Sequence, residues 1–265
     1  MNVVAAIAYA SRSVARPRYY ANDHSRDRLE IAPVTMTIAD ARDRGATLDQ
    51  EGFQLAAHRS AVSDFEDRAL VDTIHRAEIV ALIADLSGAD QVLVSSPGIL
   101  RFSERSPRCG ALDNSRPARF AHVDVSDATA GAFAARETPA GRRLRRFVHY
   151  NVWRAISGPP QDVPLTVCDA RSVSPGDLIG ADAIFDAPGR PEWSFEGLVV
   201  AHSPAHRWHW FPDLTRDEVI VFKTNDSDRE RAHCVPHVAF DNPVCGPEAR
   251  PRVSIEMRAL ALWLD

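Results

Sequence analysis

His122 and Asp124 stand two residues apart in Phe120-Ala-His-Val-Asp-Val125, an apolar run that predicts a strand. Residues i and i+2 of a strand project from one face, so an imidazole and a carboxylate would stand side by side. Both are donors suited to a divalent transition metal. His-x-Asp alone is a short pattern, and a polar pair on a solvated strand face is spelled the same way. A third donor must come from elsewhere. His237, in Pro236-His-Val-Ala-Phe240, is the leading candidate. His202, His206, His209 and His233 are its rivals, with His206 second.

Arg252-Val253-Ser254 opens the last predicted strand, so Arg252 and Ser254 share a face. Two histidines and one carboxylate leave three adjacent positions open on iron(II). 2-Oxoglutarate would take two and dioxygen the third. The far carboxylate of 2-oxoglutarate then calls for a planar, forked cation, which arginine supplies, with a hydroxyl beside it. Asn151, in Tyr150-Asn-Val-Trp-Arg154, is a further candidate for bonding 2-oxoglutarate or substrate, whereas Arg154 reads as bonded to neighbouring backbone. Arg258 shares the face of Arg252 and is a substitute anchor, and Glu256 between them would pair with one of the two. Trp208 and Trp210 read as core.

Several elements must position these groups. Val3–Tyr9 and Val34–Ala39 predict strands, the second by its alternation. Ser63 or Asp64 would cap a helix running to about Leu86, with Gly88 as its stop. Ser126–Arg136 and Ala140–Arg146 predict helices, and Arg142, Arg143, Arg145 and Arg146 read as a solvated helix face. Strands are expected at Gln91–Ser95, Phe120–Val125, Phe147–Ile156, Leu165–Cys168, Gly197–His202, Val219–Lys223 and Ser254–Leu264. Their spacing with turn signals predicts a β-sandwich or barrel. The chain reads as one catalytic domain over 1–265, with N-terminal strands and helical cover in 1–90 and the β core in 91–265.

Composition narrows the function. The 265 residues carry a net charge of −5, which gives no electrostatic case for nucleic acid or a membrane surface. No window approaches the length of apolar residues that a spanning helix needs, and the N-terminus reads as a first strand rather than a signal peptide. Four scattered cysteines without C-x-x-C spacing argue against a disulfide framework or a thiolate zinc site, and the expected compartment is the cytoplasm. A small-molecule substrate and a homodimer are the expected partners.

The chain resembles the hydroxylase/desaturase-like proteins of bacterial and fungal secondary-metabolite clusters. The resemblance lies in Thr47-Leu-Asp-Gln-Glu-Gly-Phe-Gln-Leu, Ser60-Ala-Val-Ser-Asp-Phe, His122-Val-Asp, Tyr150-Asn-Val-Trp-Arg and Cys168-Asp-Ala-Arg-Ser-Val. It continues in His206-Arg-Trp-His-Trp-Phe-Pro, Asp217-Glu-Val-Ile-Val-Phe-Lys, Pro236-His-Val-Ala-Phe-Asp and Pro251-Arg-Val-Ser-Ile-Glu-Met-Arg. It implies a mainly β chain with flanking helices around a double-stranded β-helix, or jelly-roll, core. It implies an Fe(II)/2-oxoglutarate-dependent dioxygenase, with His122, Asp124 and His237 on the iron and Arg252 and Ser254 on 2-oxoglutarate. The expected outcome is oxidation of an unactivated carbon of a natural product by hydroxylation, desaturation or cyclisation. The alternative is a non-redox or accessory member of the same barrel that acts with a partner enzyme. The segment around His206 and the middle residue Val253 depart from the family's usual spelling, which leaves the substrate open.

Overall fold

The structure is a computed structural model that describes residues 1–265. From the N-terminus, β1 (Val3–Ala10), β2 (Arg18–Tyr20), β3 (Ile31–Asp40) and β4 (Phe53–Ala57) precede a helical run. That run joins α1 (Arg68–Leu70), a π-turn (Val71–His75) and α2 (Arg76–Ser87). β5 (Gln91–Val94), β6 (Ile99–Phe102), β7 (His122–Val123), α3 (Asp127–Glu137), β8 (Leu144–Ala155) and β9 (Leu165–Cys168) follow. β10 (Leu178–Phe185), β11 (Trp193–Val200), β12 (Trp208–Trp210), β13 (Glu218–Asp226), β14 (His237–Ala239) and β15 (Val253–Leu264) complete the chain.

The strands form two sheets, in the jelly-roll arrangement expected. One has nine strands in the order β1-β3-β12-β9-β14-β7-β11-β10-β2, and the other runs β4-β13-β8-β15-β5 with β6 also on β15. The period of two along a strand sorts the side chains of the smaller sheet. In β8 and β15, Tyr150, Val152, Ile255 and Met257 face outward and pack with Ile79 and Ile83 of α2. The alternate residues face the larger sheet, where Trp153, Ile220 and Phe222 meet Leu165, Val167 and Val235. Asn151, Arg252, Ser254 and Glu256 belong to this inner face, so polar groups sit in the space between the sheets.

Three expected boundaries shift. The helical run starts later, because Asp67 accepts hydrogen bonds from the Ala69 and Leu70 amides, while Asp64 bonds the Glu66 amide within the preceding turn. Gly88 ends it as expected, in the left-handed region at φ 64°. The expected helix over Ala140–Arg146 is absent. The chain turns at Gly141, where φ is 79°, and is extended from Leu144 onward. Its arginines are therefore not a helix face. Arg145 pairs with Asp265 at 3.0 Å, and Arg146 holds Asp226 with both nitrogens. Third, Phe120–Val125 forms only the two-residue β7, because Ser126 caps α3 by accepting from the Thr129 amide.

Candidate active site

β7 lies between β11 and β14, and its register sets the third donor. His122 is the direct cross-strand partner of His237, and the two rings stand 4.2 Å apart between centroids. Asp124, just past the end of β7, folds back toward both. Its Oδ1 lies 3.6 Å from His122 Nε2 and 3.8 Å from His237 Nε2. One donor atom from each of the three residues falls within 4.8 Å of the others, and all three residues are buried.

The remaining ring nitrogens fix the tautomers. His122 Nδ1 donates to the Phe120 carbonyl at 3.0 Å, and His237 Nδ1 to the Val235 carbonyl at 3.2 Å. A carbonyl only accepts, so each Nδ1 carries the proton and each Nε2 presents a lone pair. This is the arrangement of metal-binding histidines, in which the second nitrogen is tied to a backbone oxygen. Burial pushes the His237 imidazole down to about 3, which keeps it neutral. Burial would raise the Asp124 carboxyl, but Arg258 and the two imidazoles outweigh it and hold the group well below the usual range.

Asp124 Oδ2 is turned the other way. It accepts from Asn151 Nδ2 at 2.7 Å and lies 3.1 Å from Arg258 Nε. Asn151 therefore gives its Nδ2 to the carboxylate, and its buried Oδ1 is left without a partner. Arg258, the substitute anchor, is likewise drawn to Asp124 and also meets Glu256 at 3.1 Å.

Arg252 differs from both. Its side chain is fully buried, with Nη1 donating to Ser254 Oγ at 3.0 Å. Nε and Nη2 have no partner. A buried guanidinium with free N–H groups is costly unless an anion meets it. Burial and the nearby Arg101 together lower its pKa to about 10. One cavity connects the two groups, running from His122 and His237 past Trp153 and Leu165 to Arg252. The donor set suits iron(II), and the free guanidinium edge suits the far carboxylate of a chelating keto acid.

The rival histidines are elsewhere. His206 is held between the Tyr9 hydroxyl at 3.2 Å and Asp177 at 3.3 Å. His233 bonds Asp127 at 2.8 Å, and His202 faces solvent. Arg154 reaches the His58 carbonyl, and Trp208 and Trp210 lie in the core. The sequence reading missed the wall opposite Arg258, above all Tyr19. A second cavity bounded by Tyr19, Tyr20, Phe120, Phe185 and Phe195 reaches His122 and Asp124. Tyr19 arrives there because three-residue β2 pairs in parallel with distant β10, a contact with no local signal.

Known proteins share this framework. The family model described as "YDMC: Oxidoreductase/YMDC permease-like domain" matches residues 7–262, and no helix here is long and apolar enough to cross a membrane. The alpha-ketoglutarate-dependent dioxygenase phiK of a fungal species is 31% identical over 257 residues, covering 91% of this chain and 87% of its own. The hydroxylase/desaturase efuI of Hormonema carpetanum is 27% identical over 260 residues, with the same 91% and 87% coverage. Among solved structures, the iron and alpha-ketoglutarate-dependent endoperoxidase NvfI superposes with a TM-score of 0.84 at 23% identity, over 98% of this chain and 97% of its own. The first of these relatives is close and long enough to assign kinship, and the third matches the fold: the chain belongs to the hydroxylase/desaturase-like family of iron(II)- and 2-oxoglutarate-dependent oxygenases.

Proposed function

We propose that this dioxygenase oxidises an unactivated carbon of a small-molecule natural product, with iron(II) on His122, Asp124 and His237 and 2-oxoglutarate anchored by Arg252 and Ser254. The observation that carries the reading is the pair of free N–H groups on buried Arg252, in the same cavity as the three metal donors. When bound there, iron(II) would supply the activation of dioxygen, coupled to decarboxylation of 2-oxoglutarate to succinate. The chain's own residues hold and orient. His122 and His237 offer Nε2, and Asp124 offers Oδ1 while Asn151 and Arg258 retain its Oδ2. Arg252 fixes the keto acid by its far end. Trp153 and Leu165 line the channel between. Hydroxylation, desaturation and ring closure are the candidate outcomes, and the residues of the second cavity, which reaches His122 and Asp124, would hold the substrate for any of them.

The test is an anaerobic titration of the purified protein with iron(II) and then 2-oxoglutarate, following the weak visible charge-transfer band of the chelate. The band is expected in the wild type and lost in Arg252→Ala. Iron binding without a band would overturn the co-substrate assignment. A cytoplasmic location and a homodimer complete the proposal, checked by cell fractionation and by light scattering of the eluted protein.

A further inference from the structure

Three guanidinium groups gather between the sheets. Arg252 is buried, and the side chains of Arg101 and Arg258 keep only 11% and 21% of their exposure. Three buried carboxylates share the space with these three cations, Asp124, Glu256 and Asp162. Glu256 lies 3.1 Å from Arg258 and 4.0 Å from Arg101, and Asp124 lies 3.1 Å from Arg258. Asp162 accepts from the Arg252 amide at 2.8 Å and lies 3.7 Å from Arg105. Iron(II) adds two positive charges and 2-oxoglutarate two negative ones, so loading the site leaves the balance unchanged. With 2-oxoglutarate on Arg252, and Asp124 and Glu256 both 3.1 Å from Arg258, Arg101 is the cation with the most distant carboxylate, at 4.0 Å, and is free to meet a further anion.

The second cavity shows where it would go. Arg101 lines this cavity as well as the channel to Arg252. Its Nη1 is held by the Asn114 and Arg116 carbonyls, which aims the group without neutralising it. Arg116 stands beside it at the mouth with no acidic partner. Its guanidinium lies across Gly110, where φ is 76° and an added Cβ would come within 2.7 Å of it, and its one side-chain contact is Cys109 Sγ at 3.9 Å. The remaining wall is aromatic. Phe185 stacks on Trp193 at 4.4 Å and on Phe195 at 5.2 Å, and Trp193 keeps 55% of its surface in water.

We propose that the substrate is a ring-bearing, largely apolar carboxylic acid, bound as its anion with the carboxylate on Arg101 and Arg116 and the rings against Phe185 and Phe195. The inference rests on the dioxygenase reading and names the substrate class of that site. It divides the cavity into a cationic end and an aromatic end, and the carbon presented to the metal lies between them.

The test uses a panel of polycyclic carboxylic acids and their methyl esters, titrated by calorimetry into protein loaded with zinc(II) and 2-oxoglutarate, which does not turn over. The acids are expected to bind at least about tenfold more tightly than their esters, the margin of one charge-assisted contact. The ratio should fall several-fold in Arg116→Gln and recover in part in Arg116→Lys. Equal affinity of acids and esters, binding of neither, or an unchanged ratio in Arg116→Gln overturns the proposal. The two readings fail separately. Wild type that binds no 2-oxoglutarate sinks the dioxygenase reading, whereas wild type that binds it and shows no acid preference sinks only this one.

Discussion

Asn151 and Asp124 are joined across the sandwich by a 2.7 Å hydrogen bond, from the inner face of β8 to the loop that follows β7. The two sheets thus meet at a carboxylate oxygen. The bond holds Oδ2 away from the imidazoles and leaves Oδ1 facing them. Asn151→Ala should weaken iron(II) affinity by about 10- to 100-fold, the usual effect of losing a group that orients a ligand. A competitive chelator titration reads this, with circular dichroism to show that the fold persists. Unchanged affinity would mean that Arg258 alone orients Asp124.

Arg252 and Ser254 should separate by magnitude. Arg252→Ala removes a buried charge that meets an anion, which costs about 2 kcal/mol or more, or at least about a 30-fold rise in the 2-oxoglutarate concentration needed. Ser254→Ala removes one neutral hydrogen-bonding group at about 1 kcal/mol, a few-fold effect. Both should bind iron(II) normally. Equal effects from the two variants would show that the arginine is not the main anchor.

Gly197 is the tightest backbone approach near the metal donors. A Cβ there would stand 2.9 Å from the Asp124 carbonyl and 2.9 Å from the Tyr19 hydroxyl. Neither can retreat without moving β2 or the loop carrying Asp124. Gly197→Ala is expected to cost about 1–3 kcal/mol, as other overpacking substitutions do, and to reduce iron affinity with it. A variant with wild-type melting and wild-type metal binding would show that this loop yields freely.

Acid should destabilise the protein through buried histidines that take no part in the chemistry. Burial pushes both His75 and His149 down to about 4, from about 6.5 in an unfolded chain. Between those values the unfolded state binds more protons, so stability falls as pH drops from about 6.5 toward 4. Two such groups contribute a slope of up to about 2.7 kcal/mol per pH unit. Urea unfolding at a series of pH values measures it. His149 donates through Nε2 to the Ala130 carbonyl, and His149→Gln can keep that bond while removing one proton from the slope. An undiminished slope in that variant would rule His149 out.

The parts of this structure that were legible in the sequence are those with short-range spelling. Strand alternation, Gly88 as a helix stop, and the pairs His122/Asp124 and Arg252/Ser254 depend on neighbours within a few residues. That His237 stands beside His122, and His206 does not, depends on a register between β7 and β14 that only the fold supplies. Ala140–Arg146 misled because its composition favours a helix, while β15 offers a long edge that takes the chain from Leu144 into extended pairing. The bond from Asn151 to Asp124 is beyond the sequence, which makes the face of Asn151 clear but not its partner on the opposite sheet. Tyr19 left no trace at all, since β2 has three residues and its partner β10 is remote.

Both histidines of the proposed metal site are tethered by Nδ1 to carbonyls two residues back in their own chain segments. Their aim is thus set by local backbone. A chelator that strips the centre should leave a socket of the same shape, refilled by simple exchange without refolding. Two imidazoles and one carboxylate also discriminate little by themselves among divalent first-row ions. Tighter-binding late transition metals should displace iron in vitro, and which ion the protein carries in a cell would follow supply rather than the cage.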